Sequence, residues 1–409
     1  MTEARQRQQT GPGLALVLCS FALNGALYGS LLSRYAEIAN RVHAGEAAFG
    51  AVLAIAAAGG LLGSIVAPVL VRAVRDVAAV TLFGCAFAVL AVGVAAAPAL
   101  GVLTVAFFLM TLVDGGQDVS MNALAVRVQQ LRGQSVLGRA HAVWSLSLST
   151  GTALGALAAA LGVPVALHIS VSAAAAAAMQ TGAWWRMRGR IAPSGRTAAA
   201  GAAEPPAGPR RPAHRQARLL LAVLGVAAIA ASYVESPGQE WTAVLLDRGF
   251  AAGPGLAAAG PLVFSVGLLV SRLLLDPLTQ RLPRAAIARA AGTTIAACMI
   301  TGLLIPASAA GPWPALAMIG LAGVGAGPVF PLLFGAAEIL SERHRVAPAT
   351  TTSIISALSR TGAISAPAVV GAVTSTTSLH MVFAVIAAGG LVVTAALPRA
   401  LRPARTTEP

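Results

Sequence analysis

Lysine is absent from this sequence, and charged residues of either sign are few. All 28 basic residues are arginine, 14 residues are acidic, and charged residues make up 10% of the chain. A soluble domain carries about 25% charged residues. Hydrophobic residues make up 57% of the chain, and the mean hydropathy is +0.78. This composition excludes an ordinary soluble protein and indicates one that crosses a bilayer many times.

Cysteine is scarce as well, and nucleotide-binding motifs are missing. The three cysteines, Cys19, Cys85 and Cys298, lie in different apolar segments, so their spacing fits neither a disulfide framework nor a metal site. Nothing resembles a Walker loop, so we do not expect ATP hydrolysis to power this protein. No cofactor is predicted. The net charge of +14 would suit a nucleic-acid partner, but the arginines lie between apolar runs and form no single basic surface. No nucleic-acid binding is predicted.

Apolar segments long enough to span a bilayer, about 20 residues each, follow one another in two groups of six. They lie at about 13–36, 47–71, 77–96, 100–125, 139–161, 164–185, 218–246, 254–275, 285–306, 312–338, 348–374 and 378–398.

The segments predict an all-α polytopic membrane protein of twelve transmembrane helices. A six-helix bundle is expected over residues 1–185 and a second over 218–398, with a cytoplasmic tail over 399–409. The intervening residues 186–217 contain seven arginines and one acid, Glu204. Such a composition buries no core, so this stretch is predicted to be a basic cytoplasmic linker.

The placement of arginine predicts the orientation of the chain. With both termini in the cytoplasm, only Arg34, Arg41 and Arg248 lie outside and Arg360 lies within a segment, whereas every other arginine falls on the inner side. This is the asymmetry of the positive-inside rule. We therefore expect a multi-pass protein of the cell membrane with both termini in the cytoplasm. We also expect it to be a monomer.

The two halves of the chain resemble each other. The fifth segment reads LSLSTGTALGA and the eleventh reads ALSRTGAISAP, and a basic loop with an acid follows both the second and the eighth segment. Such repeats predict two bundles related by a pseudo-two-fold axis along the membrane normal. The charged residues of the two loops are interpreted as a gating latch between helix ends: Arg72, Arg75, Asp76, Arg272, Asp276 and Arg281.

Two acids lie inside the fourth segment, in the stretch TLVDGGQDVSMN. Asp114, Gln117 and Asp118 share one helix face, with Asn122 beside them. An ionised carboxylate in hydrocarbon is costly, so this face is predicted to meet protein or water and to carry a function. Asp118 is the leading candidate to bind and release a proton, and Asp114, one turn away, is the rival. A structural ion pair is the alternative for Asp118.

The seventh segment contains the stretch SYVESPGQEW. Pro237 removes a helix hydrogen bond and Gly238 loosens the backbone, so the helix is predicted to kink or unwind there. Glu235, Gln239 and Glu240 would then face a cavity as substrate or outer-gate contacts. For Glu240, a place at the outer membrane interface is the alternative.

Arg360 lies near the middle of the eleventh segment. Its guanidinium suits bidentate contact with an anionic substrate, and a permanent ion pair with Asp114 or Glu235 is the alternative. Other side chains offer hydrogen bonds or stacking to a substrate, although such residues also hold packed helices together: Asn24, Tyr28, Asn122 and Trp144.

Several stretches resemble one family. FALNGALYGSLLSRY, DVSMNALAV, HAVWSLSLSTG and GAGPVFPLLFGAAE are similar to the fucose permease-like branch of the major facilitator superfamily, and the loops after the second and eighth segments resemble its inner-loop motif. This resemblance implies twelve helices around a central cavity, with Asp118 carrying the coupling proton. Sugar-transporting members also have an acid in the first segment, where Gly29 stands here, so the chain departs from their pattern.

These features predict a secondary active transporter that moves a small polar solute across the cytoplasmic membrane by alternating access, coupled to protons. The predicted partners are the solute, protons and the lipid bilayer. The same proton-binding and substrate-contacting residues would serve uptake by symport or efflux of drugs or metabolites by antiport, so the direction of transport stays open. An integral membrane enzyme or a non-transporting sensor are the remaining alternatives. The enzyme is disfavoured because the sequence shows no nucleophile and base, and no metal-binding carboxylates, at a membrane face.

Overall fold

The computed structural model of the chain describes residues 3–74, 76–187, 215–306, 311–344 and 346–401. These residues are almost entirely helical, and none of them lies in a β-strand. The predicted all-α class is confirmed. The helices pack as two compact units, the first from the described parts of 1–205 and 253–259, the second from those of 206–252 and 260–409.

The first unit holds six long helices and a short one. They are α1 (Glu3–Leu32), α2 (Tyr35–Arg41), α3 (Glu46–Val74), α4 (Asp76–Ala96), α5 (Leu100–Arg132), α6 (Leu137–Ala160) and α7 (Val165–Met187).

The second unit holds the remaining helices, including most of α10. They are α8 (Arg215–Glu240), α9 (Thr242–Val244), a π-helical turn (Leu245–Gly249), α10 (Pro254–Arg281), α11 (Arg284–Leu303), α12 (Trp313–Ala326), α13 (Val329–His344), α14 (Pro348–Thr376) and α15 (Met381–Ala400).

Twelve helical spans in the described part of the chain are long and apolar enough to cross a membrane, as the sequence predicts. The tenth span, Trp313–His344, consists of α12 and α13, which part at Gly327 and Pro328. A proline donates no backbone hydrogen bond, so the helical hydrogen-bond pattern is interrupted there.

Helix α8 passes through Pro237 without unwinding. It spans Arg215–Glu240, and the backbone N–H of Trp241 donates to the carbonyl oxygen of Pro237 at 3.0 Å. Of the predicted kink or unwinding at this proline, the unwinding does not occur, because packing against neighbouring helices outweighs one lost helix hydrogen bond. The irregular backbone comes later, in the π-helical turn Leu245–Gly249. Glu235 thus lies well inside a longer helical run.

Helices α1 and α6 pack backbone against backbone. A Cβ atom added at Gly29 would lie 2.9 Å from the backbone nitrogen of Thr152, and one at Gly25 would lie 3.2 Å from that of Leu148. Two atoms cannot approach so closely without moving one helix. An acidic side chain at Gly29 is therefore incompatible with this helix pair.

Replacing Gly29 with alanine is expected to lower stability. The added methyl group must separate α1 from α6, and overpacking of this kind costs about 1–3 kcal/mol. Gly60→Ala is the matched control in the same unit, because its Cβ would lie 3.5 Å from the carbonyl oxygen of Thr111, an ordinary contact. Thermal unfolding of the purified variants in detergent measures the difference. Equal melting temperatures for the two variants would contradict the tight packing.

Candidate functional site

Asn24 of α1 is the centre of a polar cluster inside the first unit. This side chain is 5% exposed. Its Nδ2 donates to Asp114 Oδ1 at 2.6 Å and to Gln117 Oε1 at 3.2 Å, both on α5. The indole Nε1 of Trp144 on α6 donates to Asn24 Oδ1 at 2.8 Å. An indole N–H only donates, so it fixes the amide of Asn24 with both hydrogens toward α5.

A second pair of polar groups extends this cluster toward α7. Gln180 Nε2 donates to Ser20 Oγ at 3.0 Å, and both side chains are buried. Gln180 shares a small recess with Asn24 and Gln117, and Gly84 of α4 leaves room beside it. A Cβ at Gly84 would lie 3.3 Å from Gln117 Nε2. Five helices of the unit thus meet around polar side chains at this level.

Asp118 lies one helical turn from Asp114 and has a partner on its own helix. Asn122 Nδ2 donates to Asp118 Oδ1 and to its backbone oxygen, each at 2.8 Å. Both carboxylates are half-buried. Asp114 is therefore tied across helices, whereas the Asn122 contact of Asp118 stays within α5. Tyr28, one turn from Asn24 on α1, is half-buried as well.

The second unit has a charged pair within its spans. Arg272 Nη2 of α10 contacts Glu235 Oε2 of α8 at 3.2 Å, and Arg272 Nε donates to the carbonyl oxygen of Gly327 at 3.3 Å. The side chains of Arg272 and Glu235 are 25% and 22% exposed. One ion pair therefore joins a predicted gating residue to a predicted substrate contact. Asp276 and Arg281, the other gating candidates of this unit, are exposed.

The remaining candidates of the second unit lie on α8 and α14. Tyr233 Oη donates to Ser365 Oγ at 3.1 Å, which joins the two helices. Arg360 of α14 is exposed and Gln239 of α8 is half-buried. Trp241, which directly follows α8, is fully buried.

The side chains of three predicted gating residues lie outside the described part of the structure. Arg75 and most of the basic linker fall outside the described residues, and the side chains of Arg72 and Asp76 are likewise not described. Among the residues that are described, no group of three His, Cys, Asp or Glu side chains is arranged to hold a metal ion.

Sequence reasoning missed two buried polar positions. Arg34 is 1% exposed, and its Nη2 donates to Glu37 Oε2 at 2.9 Å and to the carbonyl oxygen of Val163 at 2.6 Å. It ties the end of α1 to the turn between α6 and α7. The available signal was Glu37, an acid three residues after this arginine in the sequence. For Gln180, the signal was a lone amide in an alanine-rich segment.

Among the described residues, twelve candidate membrane spans in two units, with buried polar clusters inside them, define the architecture of a polytopic membrane protein. The chain belongs to the Major Facilitator Superfamily, whose family model matches residues 14–351. It is 26% identical over 328 residues to the uncharacterized transporter y4wD of Sinorhizobium fredii (strain NBRC 101917 / NGR234), an alignment covering 78% of this chain and 81% of that protein.

Solved structures share the fold. The nucleoside transporter NupG superposes with a TM-score of 0.70 at 13% sequence identity, covering 97% of this chain and 99% of that one. A mutant of the peptide transporter POT in complex with sulfate superposes with a TM-score of 0.69 at 16% identity, covering 95% of each chain. The family and these relatives are transporters, so the chain is a membrane transporter and not an enzyme.

Proposed function

We propose that this protein is a proton-coupled secondary transporter that moves a small polar solute across the cell membrane by alternating access, as a monomer with both termini in the cytoplasm. The observation that carries the proposal is the hydrogen-bonded chain from Trp144 through Asn24 to Asp114. It links a titratable group to three helices of one unit. A proton that binds there changes the forces between those helices.

The mechanism follows from which groups donate and which accept in the Trp144–Asn24–Asp114 hydrogen-bonded chain. Asn24 is committed to donating toward α5, because its oxygen is occupied by the indole of Trp144. A hydrogen bond to an ionised carboxylate is roughly twice as strong as one to a neutral group. Protonation of Asp114 therefore weakens the α1–α5 contact, and deprotonation restores it. This difference lets a proton bias the helices between two arrangements.

Asp118, the acid that the family resemblance implies, takes part in the same step. It lies one turn from Asp114, so its Cβ is about 5–6 Å away along the helix. A proton that reaches either acid is within one side-chain movement of the other. Asn122 keeps Asp118 Oδ1 oriented, at 2.8 Å. We therefore treat the two acids as one proton-binding pair.

Polar groups outside the pair are proposed to contact the solute. Tyr28, Gln239 and Arg360 are exposed or half-buried, so they are accessible to a ligand. Arg360 in addition suits an anionic group. The names of the two solved relatives, a nucleoside transporter and a peptide transporter, likewise point to solutes that form many hydrogen bonds.

The test is proton movement on addition of solute. Lightly buffered vesicles containing the protein receive a panel of sugars, nucleosides, peptides, organic acids and cationic drugs while the external pH is recorded. Wild type is expected to move protons with at least one class, and Asp118→Asn is expected to lose that flux. Glu338→Gln, at an exposed acid of α13, is the control that keeps it. Alkalinisation outside indicates symport, and acidification indicates antiport.

Two outcomes would count against the proposal. Solute uptake without any proton movement in wild type would remove the coupling. Undiminished coupled flux in Asp118→Asn and in Asp114→Asn would remove the proton-binding pair, even if transport itself persists.

A further inference from the structure

A small recess lies beside Gly84 of α4, next to the polar cluster of the first unit. Its water-accessible space is about 10 Å³, close to the roughly 10–15 Å³ that one water molecule requires. Three amide side chains line it, those of Asn24, Gln117 and Gln180, together with Phe87. Helices α1, α4, α5 and α7 thus each contribute a residue to this recess.

The hydrogen bonds of Asn24 determine which way the amide of Gln117 points. Trp144 donates to Asn24 Oδ1, so Asn24 offers Gln117 a hydrogen, which Gln117 Oε1 accepts at 3.2 Å. The Nε2 group of Gln117 therefore points away from Asn24 and toward Gly84, where an added Cβ atom would lie 3.3 Å from it. Among the described residues, none accepts a hydrogen bond from this Nε2. Gln117 is 2% exposed, so a buried amide donor is directed into the recess.

Gln180 of α7 reaches the same point from another side. The Cβ position at Gly84 lies 3.4 Å from Gln180 Cγ and 3.6 Å from its Cδ. Gln180 Nε2 donates to Ser20 Oγ at 3.0 Å, and the Ser20 hydroxyl donates to the carbonyl oxygen of Leu16 at 2.9 Å. That hydroxyl has one hydrogen, so its longer contact with Gln180 Oε1, at 3.2 Å, is the weaker one. Gln180 Oε1 therefore still has capacity to accept.

We propose that the recess binds one water molecule, which accepts a hydrogen bond from Gln117 Nε2 and donates one to Gln180 Oε1. A buried amide donor without a partner is costly, and buried water molecules commonly satisfy such groups. A donor on one side and an acceptor on the other match water. They match neither a cation, which the amide hydrogens repel, nor an anion, which the amide oxygen repels. The volume excludes the transported solute.

The bound water makes Gln117 and Gln180 positioning residues for the proton-binding pair, a role that rests on the proposed function. Rotation of the Gln117 amide would break its bond to the water and set its Nε2 against Asn24 Nδ2, donor against donor. With Gln117 held in place, Asn24 gives one hydrogen to it and the other to Asp114, at 2.6 Å. A proton that binds Asp114 therefore acts against a donor of fixed orientation.

Hydroxyl-radical footprinting with mass spectrometry of the detergent-purified full chain tests the water site. Radicals formed from a bound water molecule label the side chains beside it, even when bulk solvent does not reach them. Phe87 is 1% exposed and lines the recess, so we expect it to be labelled in wild type. Phe107 is equally buried at 1% and lies outside the recess, so we expect it to stay unlabelled.

Three variants give this test its controls. Gly84→Ala places a methyl group in the recess and is expected to reduce the labelling of Phe87 to background. Gln180→Leu removes one of the two hydrogen bonds and is expected to lower the labelling about five-fold. Gly93→Ala on the same helix is the matched control that keeps the label, because its Cβ would lie 3.9 Å from Ala106 Cβ, an ordinary contact.

The positioning role has its own measurement in the vesicle assay. Net solute accumulation driven by protons is expected to fall about five-fold in Gln180→Leu, and to fall in Gly84→Ala as well. Exchange of labelled for unlabelled solute without a gradient, and the melting temperature, are expected to stay close to those of Gly93→Ala. A purely structural role would lower all of these together.

Each contrary result overturns a stated part of the proposal. An unlabelled Phe87 in wild type, or a label that persists in folded Gly84→Ala, removes the water site. Should Gly84→Ala fail to fold, a label undiminished in Gln180→Leu is read in the same way. Loss of the label with unchanged accumulation removes the positioning role. A wild type that moves no protons overturns the proposed function and the positioning role with it, while the label on Phe87 still decides the water site.

Discussion

Asp114→Asn is expected to uncouple transport from protons without disturbing the fold. Asparagine keeps an oxygen that accepts the hydrogen bond now donated by Asn24 to Asp114 Oδ1 at 2.6 Å, but it cannot lose a proton. One charge moving across 100 mV is worth about 2.3 kcal/mol, so coupled accumulation of a neutral solute reaches nearly fifty-fold per proton. In the variant the accumulation ratio is expected to fall to about one.

The measurement uses vesicles with an imposed potential and a solute that moves protons in wild type. Net accumulation should disappear in Asp114→Asn, whereas exchange of labelled for unlabelled solute without a gradient should persist. Trp144→Phe is the informative companion variant, because it removes the donor to Asn24 Oδ1 and leaves the carboxylate in place. We expect it to retain partial coupling. Full accumulation in Asp114→Asn would transfer the coupling to Asp118 alone.

The fold follows from the sequence to a large extent because the bilayer restricts the possibilities. Backbone polar groups in hydrocarbon must bond within their own segment, so an apolar run of spanning length becomes a helix. In the tenth span, the boundary between α12 and α13 coincides with Pro328, whose nitrogen donates no helix hydrogen bond. Pro237 shows where such local reasoning fails. Local propensity favours a break there, but the packed environment of α8 keeps the helix continuous.

The candidate site was harder to predict because its partners are far apart in sequence. Helical periodicity places Asp114 and Gln117 on one face, and that much is local. Nothing in a single sequence reveals that Asn24, 90 residues from Asp114, is the donor to it. Likewise, the loop pattern assigns Arg272 to a latch at a helix end, whereas the structure pairs it with Glu235. Helix packing decides which distant residues become partners, and this packing cannot be read from a single sequence.

Arg272→Met is expected to destabilise the second unit and to abolish transport. The substitution keeps an apolar stem but leaves Glu235 without its cation, and it removes the hydrogen bond to Gly327 O. Removing one partner of a buried ion pair lowers stability by about 3–5 kcal/mol. Because the two side chains are 25% and 22% exposed, we expect the lower end of that range. Thermal unfolding and the yield of monodisperse protein measure it, with Arg289→Gln as the exposed control.

The double variant Arg272→Met with Glu235→Gln separates the structural role of the pair from its role in transport. Neither side chain is then charged, so no uncompensated carboxylate remains, and stability is expected to return close to that of wild type. Alternation between two helix arrangements requires a contact that forms in one arrangement and breaks in the other. The two neutral side chains form a weaker contact than the ion pair. Transport is therefore expected to stay low after stability recovers. If transport recovers together with stability, the Glu235–Arg272 pair serves folding alone, and the moving contacts lie elsewhere.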